Sequence, residues 1–218
     1  MTALLSRAEA YMRTCMKDGD AAHDLSHIYR VTAYARDIAE HTPCDREVVM
    51  ISALLHDIGR PAQDRNETLD HADVGAQMAY TFLLPLTDET FAIRVRDCIR
   101  THRFRAGDQP ATVEAQILYD ADKLDVCGAL GIARTLLYDG AHGIPLSTGS
   151  GWSFLQEYET KLAGLYDRFF TERARELAAP KRSAAEAFHQ ALLSELQTVS
   201  DSQRLLDELL RESNAKVV

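Results

Sequence analysis

Hydrophobic residues recur three and four positions apart along most of the chain, which is the spacing of amphipathic helices. The pattern is clear in residues 4–15 and 28–39, and again in a segment that begins after Asp45. Asp45 is predicted to cap this third helix, and Gly59 and Pro61 should end it. Because no segment shows the sustained alternation of a strand, the chain is predicted to be all-α.

The helical pattern continues beyond this point, with interruptions that are rich in polar and acidic residues. Residues 60–70 are polar and lack periodicity, so they are predicted to form a loop. Further helices are expected at about residues 72–84, 88–102, 112–121 and 123–138.

The glycine-rich segment 140–151 predicts a flexible connection. Two long helical patterns follow at about residues 152–178 and 183–211, separated by Pro180. The length of 218 residues favours one domain over two. We therefore expect a single domain over the whole chain, with a helical bundle core at about residues 20–138 and a C-terminal helical extension.

The chain is acidic, with 24 Lys and Arg against 33 Asp and Glu and a formal net charge of -9. A surface that binds DNA, RNA or anionic lipid broadly needs a net supply of cations, so neither a nucleic acid polymer nor a membrane is expected as a partner. A small anionic substrate would need a local positive site. A bound divalent cation would be the largest local charge there.

The four cysteines are widely spaced, form no Cys-x-x-Cys pair, and lie in or beside apolar helical patterns. This suits buried thiols in a reducing compartment. No apolar run approaches the length of a membrane span, and the first 17 residues lack the basic and then apolar order of a signal peptide. A cytoplasmic location is therefore expected.

Histidines and aspartates meet at the predicted helix ends. His27 opens the second helix, and His56 and Asp57 are adjacent at the end of the third. Asp122 lies in an acidic break between two apolar stretches, where buried carboxylates are costly unless they are paired or bind a metal. Two imidazoles and two carboxylates, without a thiolate, suit Mn, Fe, Co, Ni, Zn or Mg better than a structural zinc site. Such an ion generates hydroxide and polarises phosphoryl oxygens, which favours hydrolysis of a phosphate ester or anhydride.

The order His27, then His56-Asp57, then Asp122 resembles the H...HD...D signature of the HD-domain phosphohydrolase superfamily, and residues 56–59 match its HDIG variant. The likeness covers about residues 20–178. Within it, the segments around His27 and Asp122 are similar to a bacterial subfamily of small, stand-alone HD hydrolases. The resemblance implies an all-helical fold in which these four residues bind one divalent ion.

The resemblance also leaves a second ion open, because in some members the Asp of the HD pair bridges two metals. His71 and His102 fall in the chain order that a second site uses. Members with one metal keep such histidines too, so both residues are alternatively expected to bind substrate phosphate or to orient a water. Helix capping is the alternative role for each residue.

Charged residues beside these positions are candidates for substrate and catalytic roles. Lys123 and Arg103 directly follow Asp122 and His102, and with Asp57 they are assigned catalytic roles. Further cations at family-like positions are expected to bind substrate phosphate: Arg30, Arg134 and Lys161. Any of these could instead be an ordinary salt-bridge partner in so acidic a chain. Asp125 is expected to orient a neighbour rather than to bind metal.

The activities associated with the resembled subfamily are hydrolyses of nucleotides. The leading hypothesis is therefore a metal-dependent phosphohydrolase that releases phosphate or pyrophosphate from a nucleotide by attack of a metal-activated water. A two-metal phosphodiesterase and a catalytically silent nucleotide-binding sensor are the alternatives. Apolar faces on the C-terminal helices fit intramolecular packing and a homodimer equally well.

Overall fold

The structure is a computed structural model that describes residues 2–17, 25–103, 109–147 and 151–215. Every regular element within these ranges is helical, which confirms the all-α prediction. The α-helices are α1 (Thr2–Cys15), α2 (Leu25–Glu40), α3 (Arg46–Leu55), α4 (Arg60–Arg65), α5 (His71–Leu83), α6 (Glu89–Thr101), α7 (Val113–Asp125), α8 (Gly128–Ala141), α9 (Phe154–Glu157) and α10 (Glu172–Ala215). A π-helix, Tyr158–Leu162, and a 3-10 helix, Ala163–Asp167, follow α9.

Helix α3 lies at the centre of the bundle, in contact with α1, α2, α6 and α7. Its apolar side chains are almost all buried, and Val48, Ile51 and Leu55 are fully so. Asp45 caps the helix as predicted, since its carboxylate accepts from the backbone N–H groups of Glu47 and Val48 at 3.1 and 3.3 Å. The cap and the core contacts fix the far end of α3, which leads directly into His56 and Asp57.

The prediction of a loop over residues 60–70 was wrong in its first half. Arg60–Arg65 forms the short helix α4, with Pro61 in its first turn. Proline is tolerated there because the first-turn N–H groups have no intrahelical partner to lose. Gly59 packs so closely on α5 that an added Cβ would lie 2.3 Å from the carbonyl oxygen of His71.

The predicted break at Asp122 is also wrong, because α7 runs unbroken from Val113 to Asp125 and the chain turns only at Val126 and Cys127. A helix can carry buried acids if other elements supply partners for them. Asp120 accepts from the backbone N–H groups of Phe170 and Thr171 at 2.9 and 2.7 Å. The acidic residues therefore belong to α7 and do not end it.

The C-terminal extension differs from the two predicted helices. Residues 154–167 wind as short α, π and 3-10 segments, and α10 then passes through Pro180 without a break. A proline removes one backbone hydrogen bond from a helix. Buried Ala174 and Ala178 on one side and Ala185 on the other hold α10 against the rest of the chain, which keeps the helix continuous.

None of the helices in the described part of the chain combines the length and hydrophobicity of a membrane span. The four cysteines are free, and Cys98 and Cys127 are buried. Burial raises the pKa of both thiols to about 12, so they stay protonated and packed in the core.

Candidate metal centre

Five helices bring the predicted residues to one point of the bundle. His27 lies in the first turn of α2, and His56 and Asp57 follow the last residue of α3. Asp122 comes from the last turn of α7. His71 begins α5, and His102 immediately follows α6. His27, His56, Asp57, His71 and His102 are all buried.

Each of the four clustered histidines uses its Nδ1 atom for a hydrogen bond to an oxygen of the protein. The imidazole of His56 faces the carbonyl oxygen of Ala53 at 2.9 Å, and that of His102 faces the carbonyl oxygen of Ile99 at 2.6 Å. A carbonyl oxygen only accepts, so Nδ1 of both rings must carry the proton. In the neutral form, Nε2 of both rings is then a bare lone pair.

His27 has the same arrangement with a charged partner. Its Nδ1 lies 2.8 Å from Oδ2 of Asp125, so Nδ1 carries the proton and donates a hydrogen bond to the carboxylate. Its Nε2 lies 3.3 Å from Nε2 of His56, 3.6 Å from Oδ2 of Asp57 and 3.6 Å from Oδ1 of Asp122. Two imidazole nitrogens and two carboxylate oxygens thus converge on one small volume.

The other oxygen of Asp57 faces a second pair of histidines. Oδ1 lies 3.3 Å from Nε2 of His71 and 3.7 Å from Nε2 of His102. Oδ1 of Asp57 and Nε2 of His71 are both buried without a hydrogen-bond partner. The Asp57 carboxylate therefore joins two half-sites: the first half-site is His27, His56, Asp57 Oδ2 and Asp122, and the second half-site is Asp57 Oδ1, His71 and His102.

This donor set fits divalent metal ions. With bonds of about 2.1 Å, neighbouring ligands of one ion are about 3.0–3.4 Å apart, close to the 3.3–3.7 Å measured between the donor atoms. Buried lone pairs that face each other repel, and a cation among them removes the repulsion. Residues His27, His56 and Asp57 could hold one ion, and Asp57, His71 and His102 could hold another.

The protonation of the buried groups also favours a cation. Burial lowers the pKa of His56 and of His71 to about 4, so both rings are neutral at physiological pH. Burial alone would raise the pKa of Asp57, but Arg60 and His56 outweigh it and hold that pKa well below the ordinary value. The pKa of Asp122 is lowered in the same way, against burial, by the ammonium group of Lys123.

Asp125 is fully buried and lies on the Nδ1 side of His27. Arg30 donates to it at 2.7 and 3.0 Å, and Arg134 donates at 2.6 Å. Burial raises the pKa of this carboxyl, yet its bonds from His27 and Arg30 bring the pKa down to about 2. Asp125 therefore orients His27, and Arg30 and Arg134, expected at the substrate, lie against this carboxylate.

The remaining predicted cations lie at different distances from the cluster. The ammonium group of Lys123 is 2.7 Å from Oδ2 of Asp122, which leaves Oδ1 facing His27. Arg103 is 3.1 Å from Oδ2 of Asp70, the residue that caps α5 just before His71. Lys161 instead contacts Glu157 at 3.1 Å and lies over the Trp152 ring.

Sequence reasoning missed two residues of α4. The Gln63 amide oxygen accepts from Nδ1 of His71 at 2.6 Å, and Arg60 lies 3.7 Å from Oδ2 of Asp57. Both residues lie in the segment that was predicted to be a loop. Because α4 is a helix that packs against α5, Gln63 lies close to His71 and Arg60 lies close to Asp57.

An all-α bundle whose helix ends unite a His, a His-Asp pair and a further Asp defines the class of HD-domain proteins. The HD domain family matches residues 24–127. YpgQ of Bacillus subtilis (strain 168) is 30% identical over 174 residues, which are 79% of this chain and 84% of YpgQ. The chain therefore belongs to the HD-domain superfamily of hydrolases.

Solved structures of relatives share the fold. A predicted HD superfamily hydrolase from an uncultured Thermotogales bacterium is 34% identical, with a TM-score of 0.63, and the match covers 87% of this chain and 91% of that one. The structure of B. subtilis YpgQ in complex with ADP is 29% identical, with a TM-score of 0.69 and coverage of 86% and 97%. An HD-superfamily hydrolase from Bacillus thuringiensis is 26% identical, with a TM-score of 0.71 and coverage of 90% and 98%.

Proposed function

We propose that this protein is a metal-dependent phosphohydrolase that acts on a nucleotide. The observation that carries the proposal is the convergence of two imidazole nitrogens and two carboxylate oxygens, with their protons directed away from a common centre. His27, His56, Asp57 and Asp122 would hold the ion. A divalent ion held by such ligands supplies hydroxide near neutral pH and polarises a phosphoryl oxygen.

The residues of the chain contribute orientation and charge. Asp125 holds the ring of His27 in the tautomer that presents Nε2, and Ala53 does the same for His56. Lys123 beside Asp122 and Arg103 beside the start of α5 are the cations that we assign to charge neutralisation as the phosphoryl group is transferred. We do not assign that role to Arg30 and Arg134, whose charge faces Asp125.

A nucleotide is the substrate class that the comparisons support, because the relative YpgQ was solved in complex with ADP. A phosphate group requires only cationic partners, whereas a nucleoside diphosphate also requires space for its base and sugar. Product analysis distinguishes release of phosphate from release of pyrophosphate.

A two-metal variant of this function has its own observation in favour. Oδ1 of Asp57 and Nε2 of His71 are buried and lack a hydrogen-bond partner, while His102 points its Nε2 at the same oxygen. A second ion bound by these atoms would satisfy all three. Two ions that share one carboxylate are typical of enzymes that stabilise both the attacking and the leaving oxygen of a phosphoryl transfer.

The test is product analysis with defined metals. The purified chain is stripped of metal, reloaded with Mn, Mg, Co or Zn, and assayed against nucleoside mono-, di- and triphosphates and cyclic nucleotides. Turnover should require metal and should be lost in Asp57→Asn, while Asp37→Asn, which alters a carboxylate on the outer face of α2, keeps it. If the chain bound a nucleotide but turned none over with any metal, it would be a catalytically silent sensor and not an enzyme. Absence of bound metal in the wild type would remove the proposal altogether.

A further inference from the structure

Gln63 makes two hydrogen bonds to one residue of the second half-site. Its Oε1 accepts from the backbone N–H of His71 at 3.1 Å and from the Nδ1 atom of the same residue at 2.6 Å. Gln63 lies on α4, a six-residue helix whose main packing partner is α5. One amide oxygen therefore fixes both the start of α5 and the ring that the helix presents.

The first of these bonds settles the orientation of the amide and the tautomer of the ring. A backbone N–H can only donate, so the atom of Gln63 that faces it must be the oxygen. The same oxygen then requires a proton on Nδ1 of His71. With its one proton on Nδ1, the neutral ring directs the Nε2 lone pair at Oδ1 of Asp57, 3.3 Å away.

The partner of His71 differs in kind from those of the other three rings. His27 is supported by the charged carboxylate of Asp125, which strengthens an imidazole ligand. His56 and His102 are supported by backbone carbonyl groups within their own helix ends, which no substitution removes. Among the four, only the orientation of His71 depends on a neutral side chain.

We propose that Gln63 is the positioning residue of the second half-site: it sets the tautomer of His71, and thereby the affinity of Asp57 Oδ1, His71 and His102 for a second divalent ion, without contacting the ion. This inference rests on the proposed metal centre. Because the first half-site has two carboxylates and a carboxylate-supported histidine, two ions should bind with different affinities, the second one more weakly.

The variants are Gln63→Leu, which removes the acceptor at similar size, and Gln63→Glu, which keeps an oxygen at both bonds and adds charge. Gln77→Leu is the matched control, because Gln77 lies on the exposed side of α5 and its side chain donates to Thr81 of the same helix. The first readout is the tautomer of His71 in the metal-free protein, measured by long-range ¹H–¹⁵N NMR. The second is calorimetric titration with Mn²⁺, which separates the two binding events.

In the wild type and in Gln63→Glu, His71 should be a single tautomer protonated at Nδ1, and in Gln63→Leu it should become a mixture. Gln63→Leu should weaken the second ion about 10- to 100-fold and leave the first within about twofold, whereas Gln63→Glu should bind the second ion at least as tightly as the wild type. Gln77→Leu should match the wild type in both readouts.

An unchanged tautomer in Gln63→Leu would overturn the proposal, and so would equal weakening of both ions, which would indicate general disturbance of the fold. Binding of only one ion by the wild type and by Gln63→Glu would overturn the claim about the second half-site. If the wild type binds no divalent ion, the proposed function fails, but the NMR measurement on the metal-free chain still decides whether Gln63 sets the tautomer.

Discussion

Replacement of Asp125 by asparagine tests the central support of the candidate site. The carboxylate is fully buried and accepts from His27, Arg30 and Arg134 at 2.6–3.0 Å. Asparagine keeps the size and one acceptor oxygen, but it loses the negative charge. Its NH2 group would face either an arginine, which can only donate, or Nδ1 of His27, which accepts only in the other tautomer. Asp125→Asn should therefore weaken both the fold and the orientation of His27.

The magnitude follows from two routes. A fall of the Asp125 pKa from 3.8 to about 2 corresponds to about 2 kcal/mol of stability at neutral pH. Removal of one partner of a buried ion pair costs about 3–5 kcal/mol. Arg30 is partly exposed and recovers some hydration, so we expect a loss of about 2–3 kcal/mol in the free energy of unfolding. For a chain of this size that loss lowers Tm by about 4–12 °C.

The assay is thermal and urea unfolding in EDTA, with metal titration of the folded variant. Because the folded-state pKa of Asp125 is depressed, its contribution is present above about pH 4 and disappears as the pH falls through about 2. The difference between wild type and variant should shrink over that interval. Affinity for the first ion should fall about 10- to 100-fold, because His27 loses its orienting partner.

The control is Asp37→Asn, which removes a carboxylate that is also paired with an arginine. Arg173 donates to Asp37 at 2.7 and 3.2 Å, but the Asp37 side chain is 36% exposed. The loss should stay below about 1 kcal/mol and metal affinity should not change. If Asp125→Asn were as stable as Asp37→Asn and bound metal like the wild type, the assignment of Asp125 as the support of His27 would be wrong.

Three further predictions test the fold around the site. Gly59→Ala should lower the free energy of unfolding by about 1–3 kcal/mol or more in urea titrations, because the new Cβ meets the carbonyl oxygen of His71 at 2.3 Å. Gly140→Ala should not, because in the described part of the chain its new Cβ meets nothing within 4 Å beyond its own helix. The metal-free chain should lose stability in thermal unfolding as the pH falls from 6.5 toward 4, because His56 and His71 stay neutral when folded but become protonated when unfolded; a flat profile would contradict their burial as neutral rings. Pro180→Ala should raise the stability of α10 by up to about 3 kcal/mol, measured by circular dichroism, and a decrease would argue for two helices that meet at Pro180.

Local signals in the sequence were sufficient where a residue acts within its own segment. The helical periodicity and the Asp45 cap depend on neighbours a few positions apart, and the structure confirms both. The four residues of the first half-site were predicted from their order, from their positions near helix ends and from the resemblance to HD-domain hydrolases. Their separations of 3.3–3.7 Å are what only the structure supplies.

The errors in the helix boundaries share one physical cause: tertiary contacts stabilise a helix through residues that locally disfavour it. Pro180 was predicted to end a helix, but buried alanines on both sides keep α10 continuous. A break was predicted at Asp122, but the acidic residues on either side of it have tertiary partners. Asp120 accepts from Phe170 and Thr171, and Asp125 accepts from His27 and Arg30 on α2 and from Arg134 on α8. Gln63 gave no signal, because an amide that supports a histidine eight residues later has no characteristic sequence pattern.

The distribution of partners around the three carboxylates favours the proposed cation at Asp57. Two arginines and His27 balance Asp125, and Lys123 lies in direct contact with Asp122. Among the described residues, the arginine or lysine paired with buried Asp57 is the more distant Arg60, at 3.7 Å. Around it, His56, His71 and His102 are held by their Nδ1 bonds so that Nε2 lone pairs add to the negative potential. A buried carboxylate with so little neutralisation is costly, and a divalent ion on either oxygen of Asp57 relieves that cost while using ligands that are already oriented.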